Sequence, residues 1–499
     1  MIEDTLPETI PALLASRVVA TGGEQPWIRT ERGEWTVRDA ATLADRLAFG
    51  LAERGVVRGD RVAILTGNRE ETVFAWLAAN RLGAIAVPMD PASRPAELGA
   101  LLAHCRARVV VLESDDVRAR VLAGVGETSR SSVVTPEELA SSGSDAPDAA
   151  VEPEDVAVLV YTSGTTGRPK AVMQTHRTYV LTAEAYPSWL GLGSADHLYG
   201  CLPLFHINAQ AYATMGSLWA GIPLTLVERF SASRFWGDVA RSGATALNAV
   251  GAMIHILLAR PESAADRAHR LRLVYAALAL PEPQHRAFEE RFGVQMIVGY
   301  GMSESTFGTV WPRGVTPRHG TMGTLRQHPR LGAINRARVV RDDGSDAAPD
   351  EPGELWLSNP ATMRGYWEDE AATRATLVDG WLRTGDLVRR DADGWYTFVS
   401  RIKDVLRRRG HNVAPAEIEA ALLEHPSVAE AAVIGTPSAL GEDDLVAFVA
   451  PRAGETCAPD TLLAWLRDRL SAYKVPDRIE VRDALPKTAT ERIAKHLLR

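Results

Sequence analysis

The stretch RVAILTGNREETVFAWLAANRLGAIAVPMD, Arg61 to Asp90, constrains the fold more than any other. An apolar run at Val62 to Leu65 is followed by Val73, Phe74, Leu77 and Leu82 at helical spacing. Gly83 then stops the helix before a second apolar run begins. Two extended runs joined by one helix read as a βαβ unit. Further short runs, VVVLE from Val109 and VAVLVY from Val156, alternate with helix-length segments. The expectation is an α/β chain of layered sheets covered by helices.

With 499 residues the chain exceeds what one core usually organises, so several structural units are expected. Residues Gly126 to Pro153 are rich in Ser, Asp, Glu and Pro without a period, and read as a surface loop. After RIKDVLRRRG, Arg401 to Gly410, the texture changes. The segments EIEAALLEHPSV (helix), EAAVIGTP and DLVAFVA (strands) and TLLAWLRDRL (helix) make a compact set, long enough to fold as a separate C-terminal domain.

Hydrophobic residues make up 46% and charged residues 24%, as in ordinary folded proteins, and the net charge is −8. That sign argues against general binding of nucleic acid or anionic membrane. Cys105, Cys201 and Cys457 are scattered, with neither zinc-type spacing nor a disulfide framework, which suits a reducing cytoplasm. The start, MIEDTLPETI, lacks the pattern of a signal peptide. The apolar stretch from Ala246 to Ala259 is interrupted by Asn248 and His255 and is too short for a membrane span.

The segment YTSGTTGRPKAVMQTH, Tyr161 to His176, begins where VAVLVY ends. Gly164 and Gly167 permit tight turns, Thr162, Ser163, Thr165 and Thr166 offer donors to phosphate oxygens, and Lys170 adds a point charge. It is not a Walker loop, because Arg168 and Pro169 separate the second glycine from the lysine. TSGTTGRPK resembles the phosphate loop of the adenylate-forming superfamily of acyl-CoA synthetases, nonribosomal adenylation domains and luciferases.

Other segments follow in the order this resemblance implies. VGYGMSES, Val298 to Ser305, is similar to the adenine-site segment, which implies that Tyr300 stacks on the base and Glu304, with Thr162, serves magnesium. The likeness places Ala276, Gly301 and Ser303 on the nucleotide side too. TGD, Thr384 to Asp386, resembles the signature whose Asp takes both ribose hydroxyls, a role suited to an acceptor-only carboxylate. Arg401 matches the arginine near ribose and phosphate. Lys403 falls on the hinge, which implies a domain of residues 1–402 for nucleotide and acid and a mobile lid of residues 403–499. Arg407 to Arg409 are charged enough to meet phosphates of a second substrate, and His411 and Asn412 stand where thioester-forming relatives line the pantetheine tunnel.

Upstream, LPLFHINAQAYATMGSLWAG resembles the segment that approaches the acyl pocket. His206 is then a gate or orienting residue, and Asn208, Gln210, Asn248 and Gly299 complete the substrate pocket. Asn208 and Gln210 are more polar than a fatty-acid tunnel tolerates. Two departures stand out. AALAL, Ala276 to Leu280, replaces a glycine-rich stretch beside the adenine. PKTATERIAK, Pro486 to Lys495, puts Glu491 and Arg492 where relatives have Gly and the terminal Lys, so Arg492, or else Lys487 or Lys495, would take that role.

The resemblance implies an AMP-forming ligase that uses ATP and Mg²⁺, with Lys170, Glu304, Arg401, Arg492 and His206 in catalytic roles. Its acid oxygen would attack the α-phosphorus in line while cations neutralise the triphosphate. The leading expectation is a small or aromatic acid passed to CoA, by a monomer or homodimer. One alternative is a diazotase that adenylates nitrite and delivers it to an aromatic amine in secondary metabolism. Another is a nucleotide sensor with impaired catalysis, motivated by the altered terminal lysine.

Overall fold

The computed structural model describes residues 6–125, 132–140, 143, 146–162, 170–277, 279–402, 406–408, 411–437, 443–487 and 493–498. Its contacts divide the chain into two compact units. The first comprises Met1–Ala249, Ser263–Arg336 and Leu357–Leu382, and the second Val250–Glu262, Ala337–Trp356 and Arg383–Arg499. Residues 383–402, expected with the large domain, thus group with the C-terminal part. Lys403 lies outside the described residues.

In the first unit the βαβ unit is present. Strands Arg61–Leu65 and Ile85–Pro88 are parallel, with Val62 opposite Ala86, and helix Glu70–Arg81 joins them. This helix is buried from Thr72 through Asn80, so its apolar periodicity understates its burial. The sheet runs in the order Gly365–Tyr366, Lys170–Thr175, Val156–Thr162, Ile85–Pro88, Arg61–Leu65, Val109–Leu112, Ser132–Val134. Leu65, Val87, Leu98, Leu112, Val121 and Leu159 form its core.

The presumed loop between Gly126 and Pro153 contains structure. Strand Ser132–Val134 pairs in parallel with Val109–Leu112, and helix Pro136–Ala140 follows. Val133 and Val134 are β-branched and suit an edge strand. The helix start is fixed by a reciprocal cap: the Glu138 N–H donates to Thr135 Oγ1 (3.3 Å) and the Thr135 N–H donates to Glu138 Oε2 (2.7 Å).

A second sheet of this unit runs through Thr324–Leu325, Ser305–Val310, Gln295–Met302, Leu273–Ala277, Ala246–Val250, Leu198–Gly200, Leu224–Leu226, Pro26–Thr30 and Gly33–Thr36. Helix His176–Leu190 continues directly from strand Lys170–Thr175. It is capped by the Thr175 hydroxyl, which accepts from the Thr178 N–H, and it closes on Gly191 at φ 64°.

The C-terminal set expected from the sequence forms in the second unit. Strand Val428–Pro437 is antiparallel to Asp443–Pro451, which is parallel to Arg478–Val481. Helices Pro415–Leu423 and Pro459–Arg467 each open on proline, whose fixed φ and missing N–H suit a first turn. One core joins Val413, Ile418, Leu422, Val433, Leu445, Leu462 and Leu466. Ala432, Ile434, Val446, Phe448 and Leu498 form another. Among the described residues no helix is long and apolar enough to cross a membrane, and the three cysteines are buried free thiols.

Candidate active site

Strands Val156–Thr162 and Lys170–Thr175 pair antiparallel with Thr162 opposite Lys170, so the glycine-rich segment is the connection of a hairpin. Ser163, Gly164, Thr165, Thr166 and Gly167 themselves lie outside the described residues. The Thr162 hydroxyl donates to the Lys170 carbonyl at 3.4 Å. Lys170 Nζ stands 4.7 Å from the centroid of the Tyr366 ring. The Tyr366 hydroxyl donates to Glu304 Oε1 at 2.9 Å. Two motifs far apart in sequence are thereby joined through one tyrosine.

The backbone enforces this meeting. The short strand Gly365–Tyr366 pairs with the Lys170 strand, Tyr366 opposite Val172. The Met363 N–H donates to the Glu304 carbonyl at 2.7 Å, and the buried Gln174 amide donates to the Ser303 carbonyl. Gly365 is at φ +147°, and a Cβ there would lie 2.7 Å from Thr373 Cγ2, so a larger residue would force this strand away. Sequence reasoning missed Tyr366, because a two-residue strand leaves no periodicity.

Strand Gln295–Met302 turns tightly into Ser305–Val310, with Met302 opposite Ser305, which puts Ser303 and Glu304 at the tip. Tyr300 is half-buried, its hydroxyl 3.8 Å from Met302 Sδ, and Gly301 is exposed. Ala276 departs from expectation. It is fully buried in a strand paired with Gln295–Met302, and the alternation of side chains along the strand leaves Ala277 as the exposed neighbour.

On the acid side, His206 is half-buried, its ring edge-on to Phe205 at 4.5 Å. It precedes Asn208–Thr214, a helix wound with extra-wide turns, a form that recurs at functional sites. Asn208 and Asn248 line one cavity with Tyr199, Gly200, Cys201 and Leu226. The Tyr186 hydroxyl donates to Asn248 Oδ1 (2.5 Å), and Asn248 Nδ2 donates to Asn208 Oδ1 (2.7 Å). Burial pushes the Cys201 thiol up to about 12, so it stays neutral.

Two expected pocket residues have other roles. Gln210 is fully buried and held between the Tyr179 hydroxyl, which donates to its Oε1 at 2.5 Å, and the Leu204 carbonyl, which its Nε2 meets at 2.7 Å. The wide turns aim it inward. Gly299 is also buried: a Cβ there would lie 2.5 Å from the Tyr275 ring, so it provides clearance rather than lining.

Beneath that strand lies Arg326, fully buried and not anticipated from the sequence. Its Nε donates to Thr309 O (3.1 Å), Nη1 to Tyr212 Oη (2.6 Å) and Thr306 O (2.5 Å), and Nη2 to Tyr275 Oη. The guanidinium lies 4.7 Å from the Trp189 ring and 5.0 Å from that of Tyr212. Among the described residues no carboxylate pairs with it.

In the second unit Asp386 is fully buried and its Oδ1 is 2.8 Å from Arg401 Nε, the two standing opposite in neighbouring strands. The Thr384 hydroxyl donates to Leu355 O at 2.7 Å and accepts from the Asp386 N–H at 3.1 Å. Arg492 lies outside the described residues. Its proposed substitutes are engaged within this unit, Lys487 with Glu430 at 2.5 Å and Lys495 with Glu419 at 2.7 Å. The backbone places His411 opposite Arg408 and Asn412 opposite Arg407 in a two-stranded ribbon.

The described residues contain no cluster of three or more metal-ligating side chains. Glu304 fits magnesium as a hard oxygen ligand of the kind that shares the ion with substrate phosphates rather than caging it.

Residues 15–367 match the family described as AMP-binding enzyme, and residues 417–492 its C-terminal domain. A sulfoacetate–CoA ligase of Cupriavidus necator is 33% identical over 98% of this chain and 97% of its own length. A crotonobetaine/carnitine–CoA ligase of Escherichia coli is 31% identical over 89% of each chain. Among solved structures, the anthranilate CoA ligase AuaEII in complex with anthranoyl-AMP superposes with a TM-score of 0.90 at 26% identity, covering 99% of this chain and 97% of its own. The o-succinylbenzoate synthetase MenE of Bacillus subtilis, bound to ATP and magnesium, gives a TM-score of 0.84 at 28% identity, covering 97% and 98%.

Proposed function

We propose, from the premise that the chain belongs to the AMP-binding enzyme family, that it is an ATP-dependent acid–CoA ligase whose acid is small and polar. The observation that carries the first half of this reading is the Lys170–Tyr366–Glu304 arrangement. It brings a cation and a metal-ligating carboxylate together beside a glycine-rich hairpin, which is the equipment a triphosphate needs.

In the proposed reaction the acid oxygen attacks the α-phosphorus and pyrophosphate leaves. Lys170 and the loop from Thr162 to Gly167 neutralise the leaving group. Glu304 holds magnesium, which supplies further neutralisation of the triphosphate when bound. Tyr300 lies against the base, while Asp386 and Arg401 serve the ribose. Arg492 is assigned to the charge that develops at the reacting centre. His206 orients the acid. CoA thiolate then displaces AMP. Lys403 is assigned as the hinge of a mobile domain, residues 403–499. Three free thiols and the use of ATP and CoA suit the cytoplasm.

The acid's size and polarity follow from the Asn208–Asn248–Tyr186 chain. An alkyl tail pressed against those amides would strip them of solvent without replacing the lost hydrogen bonds. The acids named for the relatives, sulfoacetate and carnitine among them, are short and polar.

The test is AMP formation by the purified chain with ATP, magnesium and a panel of acids, with and without CoA. AMP and pyrophosphate in a short-acid-dependent, CoA-stimulated reaction is the expected result. Formation of ADP, or a preference for long alkyl acids, would defeat the proposal. Nitrite-dependent AMP formation without CoA would replace CoA by an amine as acceptor.

A further inference from the structure

Arg326 is a charge in the wrong place for a merely structural pin. It is fully buried, and its recorded partners are two backbone carbonyls and two tyrosine hydroxyls, all neutral. An arginine stays protonated in any protein environment, and a buried ion without a counter-charge is unfavourable even when hydrogen-bonded. The cage therefore holds a positive potential that an anion would relieve.

Its surroundings indicate where that anion sits. Tyr275 accepts from Arg326, and the Tyr275 ring is edge-on to Tyr186, with centroids 6.1 Å apart. Tyr186 also stacks on Tyr212 at 5.6 Å and donates to Asn248, which donates to Asn208. The layer thus runs from the buried guanidinium to the cavity that Asn208 and Asn248 line. Each of those amides has an N–H that takes no part in these bonds and is available to an anion. The remaining walls, Leu202, Ala209, Ala213 and Leu226, are apolar, and Cys201 is neutral. Nothing in that wall opposes a negative charge.

The wall is tight at Gly200. A Cβ there would lie 3.0 Å from Leu226 and 3.1 Å from Leu224, so a side chain at this position would crowd the leucines.

We propose that this cavity binds the second, non-reacting acidic group of the substrate, with Asn208 and Asn248 in contact and Arg326 as the balancing charge. The substrate class is then a short acid with two anionic ends, a dicarboxylate or a sulfonated carboxylate. Arg326 acts through the tyrosine layer and is a positioning residue. This rests on the acid–CoA ligase reading and deepens it.

The experiment measures two quantities on the full-length protein. Equilibrium binding of malonate, succinate and sulfoacetate is compared with that of propionate and butyrate by calorimetry, in the presence of a non-hydrolysable ATP analogue and magnesium. AMP formation is followed with the same acids. The expected result is at least a hundredfold preference in both affinity and kcat/KM for each dianion over the monoanion of matched length. Arg326→Met should cut that ratio at least tenfold. If it fails to fold, Asn208→Leu, a change at a half-buried position, tests the same ratio.

A wild-type ratio near one, or an equal loss for both acid classes in the variants, would overturn the proposal. Dianion binding without AMP from any acid would leave the anion site standing and remove the ligase reading. AMP from monoanions with no dianion preference would do the reverse.

Discussion

The nucleotide-side group of Lys170, Tyr366 and Glu304 and the acid-side group of Arg326, Tyr212 and Tyr275 belong to the same unit but handle charge in opposite ways. Lys170 and Glu304 are half-buried on either side of the buried Tyr366, and the three are joined by one hydrogen bond and one cation–ring contact. Arg326 and its tyrosines are almost wholly enclosed, and the guanidinium donates to four oxygens. A charge that must follow a phosphate through a reaction benefits from partial solvation and a light tether. A charge that must sort one acid from another acts more strongly where water cannot screen it.

The comparison can be broken most severely at Lys170. Lys170→Ala should lower kcat for AMP formation on the order of 10³-fold, roughly 4 kcal/mol in the barrier, because a preorganised cation facing developing charge is lost. Thermal stability should barely move, since one cation–ring contact at a half-buried lysine is light. A loss below tenfold in a rate assay would place the triphosphate elsewhere.

On the acid side the order should invert. Arg326→Met removes the donor to the Tyr275 and Tyr212 oxygens and the Thr309 carbonyl, while the Thr306 carbonyl keeps the Tyr212 hydroxyl, and is expected to destabilise the fold by about 3 kcal/mol, as read by chemical denaturation. A variant as stable as the parent would mean that the cage was relieved by removing its charge.

The joint between the regions is His176, where the Lys170 strand becomes the helix that carries Tyr179 and Tyr186. Burial pushes its pKa down to about 4, and its Nδ1 accepts from the Ile10 N–H at 3.3 Å, which requires the neutral ring. The folded-state pKa is below the unfolded value, so the unfolded chain binds the proton first as pH falls. Stability present above pH 6.5 is lost between 6.5 and about 4. The decline from pH 7 to 5 should be about 2 kcal/mol from this residue. His197 is likewise held near 4 by burial. Burial shifts His255, His269, His319 and His328 down as well, so His176→Asn should make a plot of Tm against pH shallower below pH 6.5 without flattening it, and an unchanged slope would assign the effect elsewhere.

The finest test is Tyr366→Phe, which keeps the ring under Lys170 and removes the hydroxyl from Glu304. A loss of about tenfold in kcat, with a raised magnesium requirement, is expected for one charge-assisted hydrogen bond. An unaltered magnesium dependence would detach Tyr366 from the metal carboxylate.

What the sequence discloses follows the range of the forces involved. The βαβ unit and the C-terminal α/β set are written in local apolar spacing, and both form as read. Of the hairpin around the glycine-rich loop only the first strand was legible; its return strand, Lys170–Thr175, came from the structure. Tyr366 and Arg326 were not, because each acts through residues distant in the chain: Tyr366 on Glu304 through a two-residue strand, Arg326 on Tyr212 and Tyr275 from a segment, TLRQHPRLG, with no period. Likeness placed Gln210 in the acid pocket and Ala276 on the nucleotide side, and wide helical turns and strand alternation direct them into the core instead.

Those turns at Asn208–Thr214 carry an evolutionary implication. A coil that already accommodates surplus backbone can lose one residue and relax to ordinary winding, rotating everything on one side of the deletion by about 100°. The firmly packed segment after it can keep its seat while Asn208 is exchanged for a neighbour at the cavity wall. Sister enzymes that differ by one residue between Ile207 and Met215 should therefore differ in the acid they accept, with the nucleotide machinery left as it was.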